Sequence, residues 1–278
     1  MHIALLISGR ITRYEVCLLP ILKNSGHHKI DLFISVNDKN EHGKYYDKMK
    51  EDLKEYIKFL KISEFVIDDE IFNLFDPNKS NATHGMQVNL QKINNKYVPN
   101  NCLSMFYNDM VAFNEACNYA DIHNFEYDMF LKFRSDIIAN NIPINICKPE
   151  KKIIHLYSHE PLCSFISGGI YKKNNICDCY AWGNRESMKI YCNTYNYVID
   201  KIKELKGEYY VAGECSLTDN IYENNMPHSF HYCGYQLDKN RRMFDDVTID
   251  TRGRIHNQTI FSSSNSFDNS YIPPEKQE

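Results

Sequence analysis

Four short segments of this 278-residue chain carry residue types and spacings that can do chemistry. Arg134-Ser135-Asp136 closes the apolar run Tyr127–Phe133. If that run is a buried central strand, its carboxyl end is where open α/β sheets bind ligands. A carboxylate there, Asp136, can ligate Mg²⁺ or Mn²⁺, hard cations that bridge protein oxygens to phosphates. Arg134 shares the face of Asp136 on an extended chain and can take a phosphate bidentately. A polar strand end with a surface ion pair reads the same way. Ser8-Gly9-Arg10 follows the first apolar run, with Arg13 close behind. Glycine admits close backbone approach, the following helix start favours an anion, and Arg10 and Arg13 add charge. The segment is neither G-x-G-x-x-G nor a P-loop, and an ordinary strand-to-helix turn explains it equally.

The third segment is Gly213-Glu214-Cys215-Ser216-Leu217-Thr218-Asp219. Carboxylates at a helix start are stabilised by the helix dipole and are commonly caps, but Glu214 aimed into a cleft is a candidate general base toward a hydroxyl. Asp219 fits a structural role better. In the fourth, His228 and His231 bracket a strand-like run after Pro227. Three residues apart on a strand they point to opposite faces, so at most one is a metal ligand; His231 is the candidate, against a structural alternative. No Ser/His/Asp or Cys/His relay emerges.

These segments need elements to hold them. His2–Ile7 and Asp31–Val36 read as buried strands, Tyr14–Lys23 as a helix between them, Glu41–Leu60 as a long charged helix and Glu64–Ile67 as a third strand. Asn73–Asn101 reads as a polar surface loop, and Leu103–Ala120 as a helix with Leu103, Phe106, Met110, Phe113 and Cys117 along one face. Tyr127–Phe133, Lys152–Tyr157, Phe165–Tyr171 and Ser229–Tyr232 read as strands, Ile176–Tyr197 as helical from about Ser187, and Gly213–Asn224 as a short helix. Strands interleaved with helices predict right-handed βαβ units and a parallel sheet. The expected organisation is one α/β domain over residues 1–235, with a partly irregular extension over 236–278 that frays after Ser262.

Composition excludes several classes. A formal net charge of −4 lacks the basic face of a nucleic-acid or anionic-membrane binder. No apolar run approaches the roughly 20 residues of a membrane span, and the first strand is too short and too poorly flanked for a signal peptide. Ten scattered cysteines without a C-x-x-C argue against structural zinc and suit a reducing, cytoplasmic setting. The 20 tyrosines would suit a carbohydrate cleft but serve cores and surfaces as well.

In order along the chain, three blocks carry a resemblance. They are the opening strand with Ser8-Gly9-Arg10 and Tyr14; Ser104-Met105-Phe106-Tyr107-Asn108 leading into Tyr127 to Asp136; and Ala181-Trp182-Gly183 to Tyr191 followed by Gly213-Glu214-Cys215-Ser216-Leu217. The chain resembles small GT-A-type glycosyltransferases of bacterial lipopolysaccharide and capsule synthesis and their relatives in large DNA viruses. The resemblance implies a GT-A-like, Rossmann-like mixed and mostly parallel sheet flanked by helices. It implies transfer of a sugar from a nucleotide-diphosphate donor such as a UDP-sugar to a hydroxyl of a glycan or lipid-linked saccharide, assisted by Mn²⁺ or Mg²⁺; a carboxylate base candidate in Glu214, with no covalent nucleophile standing out, favours inversion. Arg134-Ser135-Asp136 stands where most such enzymes carry Asp-x-Asp, and Arg134 in place of the first carboxylate puts strict metal dependence in question. By the same resemblance Ser8, Gly9, Arg10, Asn37 and Asp38 line the nucleotide pocket, and Gly168 and Gly169 sit by the donor sugar. A sugar nucleotidyltransferase, or a degenerate glycan- or nucleotide-binding module, are the alternatives.

Overall fold

A computed structural model describes residues 1–9, 11, 14–37, 43–75, 91–93, 96–98, 100–134, 137–138, 149, 152–157, 176, 178, 180–207, 209, 211–231, 236–237 and 267–271. The strands are β1 (His2–Gly9), β2 (Lys29–Asn37), β3 (Ile57–Ser63), β4 (Gln91–Ile93), β5 (Lys96–Val98), β6 (Met129–Arg134), β7 (Ile137–Ile138), β8 (Ile154–Tyr157), β9 (Tyr180–Gly183), β10 (His228–His231), β11 (Gln236–Leu237) and β12 (Phe267–Tyr271). The helices are α1 (Tyr14–Cys17), α2 (Leu19–Asn24), α3 (Gly43–Leu53), α4 (Asp69–Leu74), α5 (Asn100–Ile122), α6 (Arg185–Cys192), α7 (Thr194–Glu204) and α8 (Gly213–Glu223). Among the described residues, eight strands form one sheet in the order β12-β10-β8-β9-β6-β1-β2-β3. Only β9 and β12 run against the other six. The architecture is a mixed, mostly parallel α/β sheet flanked by helices, as the resemblance implies; the strand–helix alternation alone predicts its parallel part.

The centre is built from strands buried on both faces. Ile3, Leu5 and Ile7 of β1 pack on one side with Ile11, Tyr14 and Leu18 from the connection to β2 and with Met49 and Leu53 of α3. Ala4 and Leu6 pack with Phe106, Ala112 and Phe113 of α5 on the other. Continuous apolar runs of this kind belong to parallel strands covered by helices on both faces.

Several expectations are corrected. The helix read over Tyr14–Lys23 is two pieces, because Pro20 enters the first turn of α2 and has no N–H to continue the ladder. The charged run 41–60 is α3 followed by β3. Tyr56 N–H closes a turn on the Leu53 carbonyl (2.9 Å), and the chain then pairs in parallel with β2. Pairing on that open sheet edge overrides the helical propensity of the Lys/Glu-rich sequence. The third strand is therefore Ile57–Ser63, not Glu64–Ile67, which has no regular structure though Phe65 and Ile67 are buried. Within the stretch read as loop, β4 and β5 pair as a small hairpin. The four-residue β9 was not expected. After it Asn184 caps α6 by accepting the Ser187 N–H at 2.9 Å. Phe267–Tyr271, expected to fray, pairs antiparallel with β10. The strand read over Phe165–Tyr171 lies outside the described residues. No helix of the described residues is long and apolar enough to cross a membrane.

Candidate active site

The chain passes from β1 to β2 through helices on one face, and reaches β6, the other neighbour of β1, through α5 on the opposite face. The order reverses between β1 and β6, and the crevice beyond the carboxyl ends of such strands is where open sheets bind ligands. Gly9 ends β1 there with φ +83, a left-handed conformation that favours glycine. Arg134 ends β6 with Ser8 as its register partner.

A polar row crosses the sheet just short of this edge. Lys61, Ser35, Ser8 and Arg134 are register partners on β3, β2, β1 and β6. Three consecutive residues of α5 meet three of them. Lys61 donates to the Tyr107 hydroxyl at 3.1 Å, Ser35 to Asn108 Oδ1 at 2.7 Å, and Ser8 to Asp109 Oδ1 at 2.5 Å. The Asn108 amide is fixed in turn by donating to the Ser104 carbonyl at 2.7 Å. The serine hydroxyls bind α5 to the sheet, so at Ser8-Gly9 it is the backbone, not the Ser8 side chain, that reaches the strand end.

Beneath Arg134, two residues back on β6, Lys132 is fully buried. Its ammonium donates to the backbone carbonyl of Asp178 and lies 4.0 Å from Asp109 Oδ2. Burial pushes the Asp109 carboxyl above the usual carboxylate range, against the pull of Lys132 and the Ser8 hydrogen bond. Asp178 itself accepts from Arg134 Nη1 at 2.9 Å.

Asp178 also approaches the start of α8. A Cβ on Gly213 would come within 3.7 Å of Asp178 Oδ2. Thr218 Oγ1 donates to the Glu214 carbonyl (2.7 Å) and accepts the Ile176 N–H (2.9 Å), pinning that helix start to the segment before Asp178. Cys102 reports the result: its thiol is pushed up to about 12, mostly by burial and then by the Glu214 and Asp178 carboxylates, with the Gly213 N–H opposing. Thus Arg134, Asp178, Glu214 and the first turn of α5 form one constellation.

Of the other predicted residues, Asn37 ends β2 at this same edge, one residue beyond the register partner of Gly9. Asn37 Oδ1 accepts the Phe65 N–H at 3.0 Å and holds the turn after β3. Asp219 is buried and accepts from the Tyr209 hydroxyl at 3.1 Å. His228 is buried, hydrogen bonded to the Met226 carbonyl (2.9 Å), and burial lowers its pKa below the ordinary range. His231 ends β10. Arg10, Arg13, Asp38, Asp136, Gly168 and Gly169 lie outside the described residues. Among the described residues no three His, Cys, Asp or Glu side chains gather as a metal site. The nearby carboxylates of Asp178 and Asp109 face Arg134 and Lys132, so the described donor set does not suit a divalent cation.

Sequence reasoning missed Asp178, Lys132 and Asp109. The last two carried a signal, since a lysine inside an apolar central strand requires a partner, and Asp109 shares a helical face with Phe106 and Phe113.

No family model matches the chain, and no curated protein matches it. Among solved structures, it is similar to the apo form of the glycosyltransferase GlyE of Streptococcus pneumoniae TIGR4, with 10% identity and a TM-score of 0.36 over 81% of this chain. The chain spans 44% of that protein's length.

Proposed function

We propose that the chain is a nucleotide-sugar-dependent glycosyltransferase, moving one sugar from a nucleoside-diphosphate donor to a hydroxyl of a glycan or lipid-linked saccharide. The observation that carries this reading is the guanidinium of Arg134, held by Asp178 at the carboxyl end of β6 where the strand order reverses. A fixed cation there suits a diphosphate, and the Gly9 backbone lies on the neighbouring strand end.

The chemistry follows from charge. As the bond from sugar to phosphate breaks, negative charge builds on the departing diphosphate, and a preorganised guanidinium stabilises it more than the ground state. A divalent cation, held by Asp136, would add Lewis-acid stabilisation of the same oxygens. Glu214, half-buried on the first turn of α8, is the base that takes the proton of the acceptor hydroxyl as it attacks the anomeric carbon. One displacement with a carboxylate base gives inversion.

Incubation with a panel of UDP-, GDP- and dTDP-sugars and simple saccharide acceptors tests the reading. It expects release of a nucleoside diphosphate from at least one donor. Release of pyrophosphate from a nucleoside triphosphate and a sugar phosphate, with no diphosphate from any nucleotide sugar, would replace it with a nucleotidyltransferase.

A further inference from the structure

We propose that Lys132, wholly inside the protein, is a positioning residue for Arg134: by gripping the backbone carbonyl of Asp178 it fixes the carboxylate that aims the guanidinium. This rests on the diphosphate reading above and names the residue that stands behind the arginine.

Lys132 and Arg134 are alternate residues of β6 and so share a face of the sheet. Lys132 has 0% exposure, which rules out direct contact with anything bound at the strand end. Its ammonium instead joins two elements, the turn at Asp178 ahead of β9 and Asp109 of α5. Asp109 is held in turn by the Ser8 hydroxyl of β1. Lys132 and Arg134 therefore grip the same residue, one by its carbonyl and the other by its carboxylate. A guanidinium is a rigid planar fork, so a carboxylate fixed in space sets the plane in which the arginine meets a phosphate. Without Lys132, the Asp178 carbonyl loses its buried cation, the carboxylate is held less firmly, and Arg134 is ordered in part by the ligand at the expense of affinity.

A lysine that merely filled the interior would change stability without singling out the phosphates, and this separates the two roles. Lys132→Met alone leaves Asp109 buried without its cation, so the working variant is Lys132→Met with Asp109→Asn. That pair removes both charges and leaves the Ser8 hydroxyl an acceptor. UDP, GDP, ADP and dTDP, and the matching nucleosides, are titrated calorimetrically into the wild type, the pair variant, Arg134→Gln and the triple variant.

The pair variant should bind the preferred diphosphate roughly tenfold more weakly, about one charge-assisted hydrogen bond, with nucleoside affinity unchanged. In the Arg134→Gln background the same pair should add no further loss, because Lys132 acts through Arg134. Diphosphate affinity equal to wild type in the pair variant, or losses that multiply in the triple variant, would overturn the inference. A wild type that binds none of the four diphosphates would overturn the diphosphate reading itself. A ligand-free readout tells the two failures apart: phenylglyoxal modification of Arg134, followed by peptide mass spectrometry. It should speed up several-fold in the pair variant, and an unchanged rate contradicts the anchoring role whether or not a nucleotide binds.

Discussion

Replacing Lys132 with methionine isolates the electrostatics of the buried pair. The ammonium lies 4.0 Å from Asp109 Oδ2, with both side chains out of water. Methionine keeps most of the lysine stem's volume, so the packing loss is small. The loss arises at Asp109, which keeps the Ser8 hydrogen bond but no longer faces a buried cation. Its least unfavourable response at pH 7 is to take up a proton. From an ordinary carboxylate value near 3.9 that costs about 1.4 kcal/mol per pH unit, so about 4 kcal/mol caps the charge contribution. This falls within the roughly 3–5 kcal/mol expected for breaking a buried pair from one side. The sign follows from the direction of the shift. Burial already raises the Asp109 carboxyl, and losing Lys132 raises it further. Between the unfolded value and the raised one, the native variant holds a proton that the unfolded chain does not. Relative to wild type, stability of Lys132→Met therefore falls as pH rises, by about 1.4 kcal/mol per unit, between the raised Asp109 value of the wild type and the still higher one of the variant. Urea denaturation at pH 5, 6, 7 and 8 measures it. Adding Asp109→Asn should remove the slope, since the amide does not titrate. A Lys132→Met profile parallel to wild type at every pH, or a double variant less stable than the single at pH 8, would refute the reasoning.

Three further outcomes follow from the same contacts. Glu214→Gln should lower kcat by roughly 10²–10⁴-fold with little change in donor KM, as expected of a lost general base, and steady-state kinetics on the active donor checks it. Gly9→Ala and Gly207→Ala both force alanine into left-handed backbone, at φ +83 and +81. Among the described residues no atom lies within 4 Å of a Cβ on Gly9, so its variant should lose about 1 kcal/mol, whereas a Cβ at Gly207 would stand 2.0 Å from the Leu74 carbonyl oxygen, so that loss should be at least twice as large by thermal denaturation. His155 stacks on Trp182 with centroids 4.9 Å apart, and burial lowers its pKa from 6.5 to about 4. The unfolded chain takes up that proton first, so the His155 contribution is complete above pH 6.5 and is lost as pH falls toward 4, by about 3 kcal/mol in all. His155→Phe should flatten the stability profile across that window, and an unchanged acid limb would contradict the assignment.

The centre of the sheet was legible because its strands are buried on both faces: Ile3–Ile7, Leu32–Val36 and Met129–Phe133 are unbroken apolar runs apart from Ser35 and Lys132. Helices α5 and α8 showed their periodicity and their start. The edge strand β3 was hidden, because its Lys-rich run sits half-exposed and takes its form from β2. Strand β9 was hidden by brevity, four residues fixed by two antiparallel neighbours. At the site, Gly9 stood out as a glycine closing a strand, and Arg134 and Glu214 as charged residues at element ends. Asp178 did not, since a lone carboxylate in a turn has no period, and its meaning comes from the two cations that reach it across the sequence.

The most direct test of the nucleotide site is a thermal-shift comparison of wild type and Arg134→Gln with UDP, GDP and dTDP, each with Mn²⁺, Mg²⁺ or EDTA. A ligand at 100 times its Kd adds about 2.7 kcal/mol, a readily visible rise in melting temperature. The account predicts a rise for wild type with at least one diphosphate, and a much smaller one for Arg134→Gln. No rise with any diphosphate, or the same rise in both proteins, would contradict it.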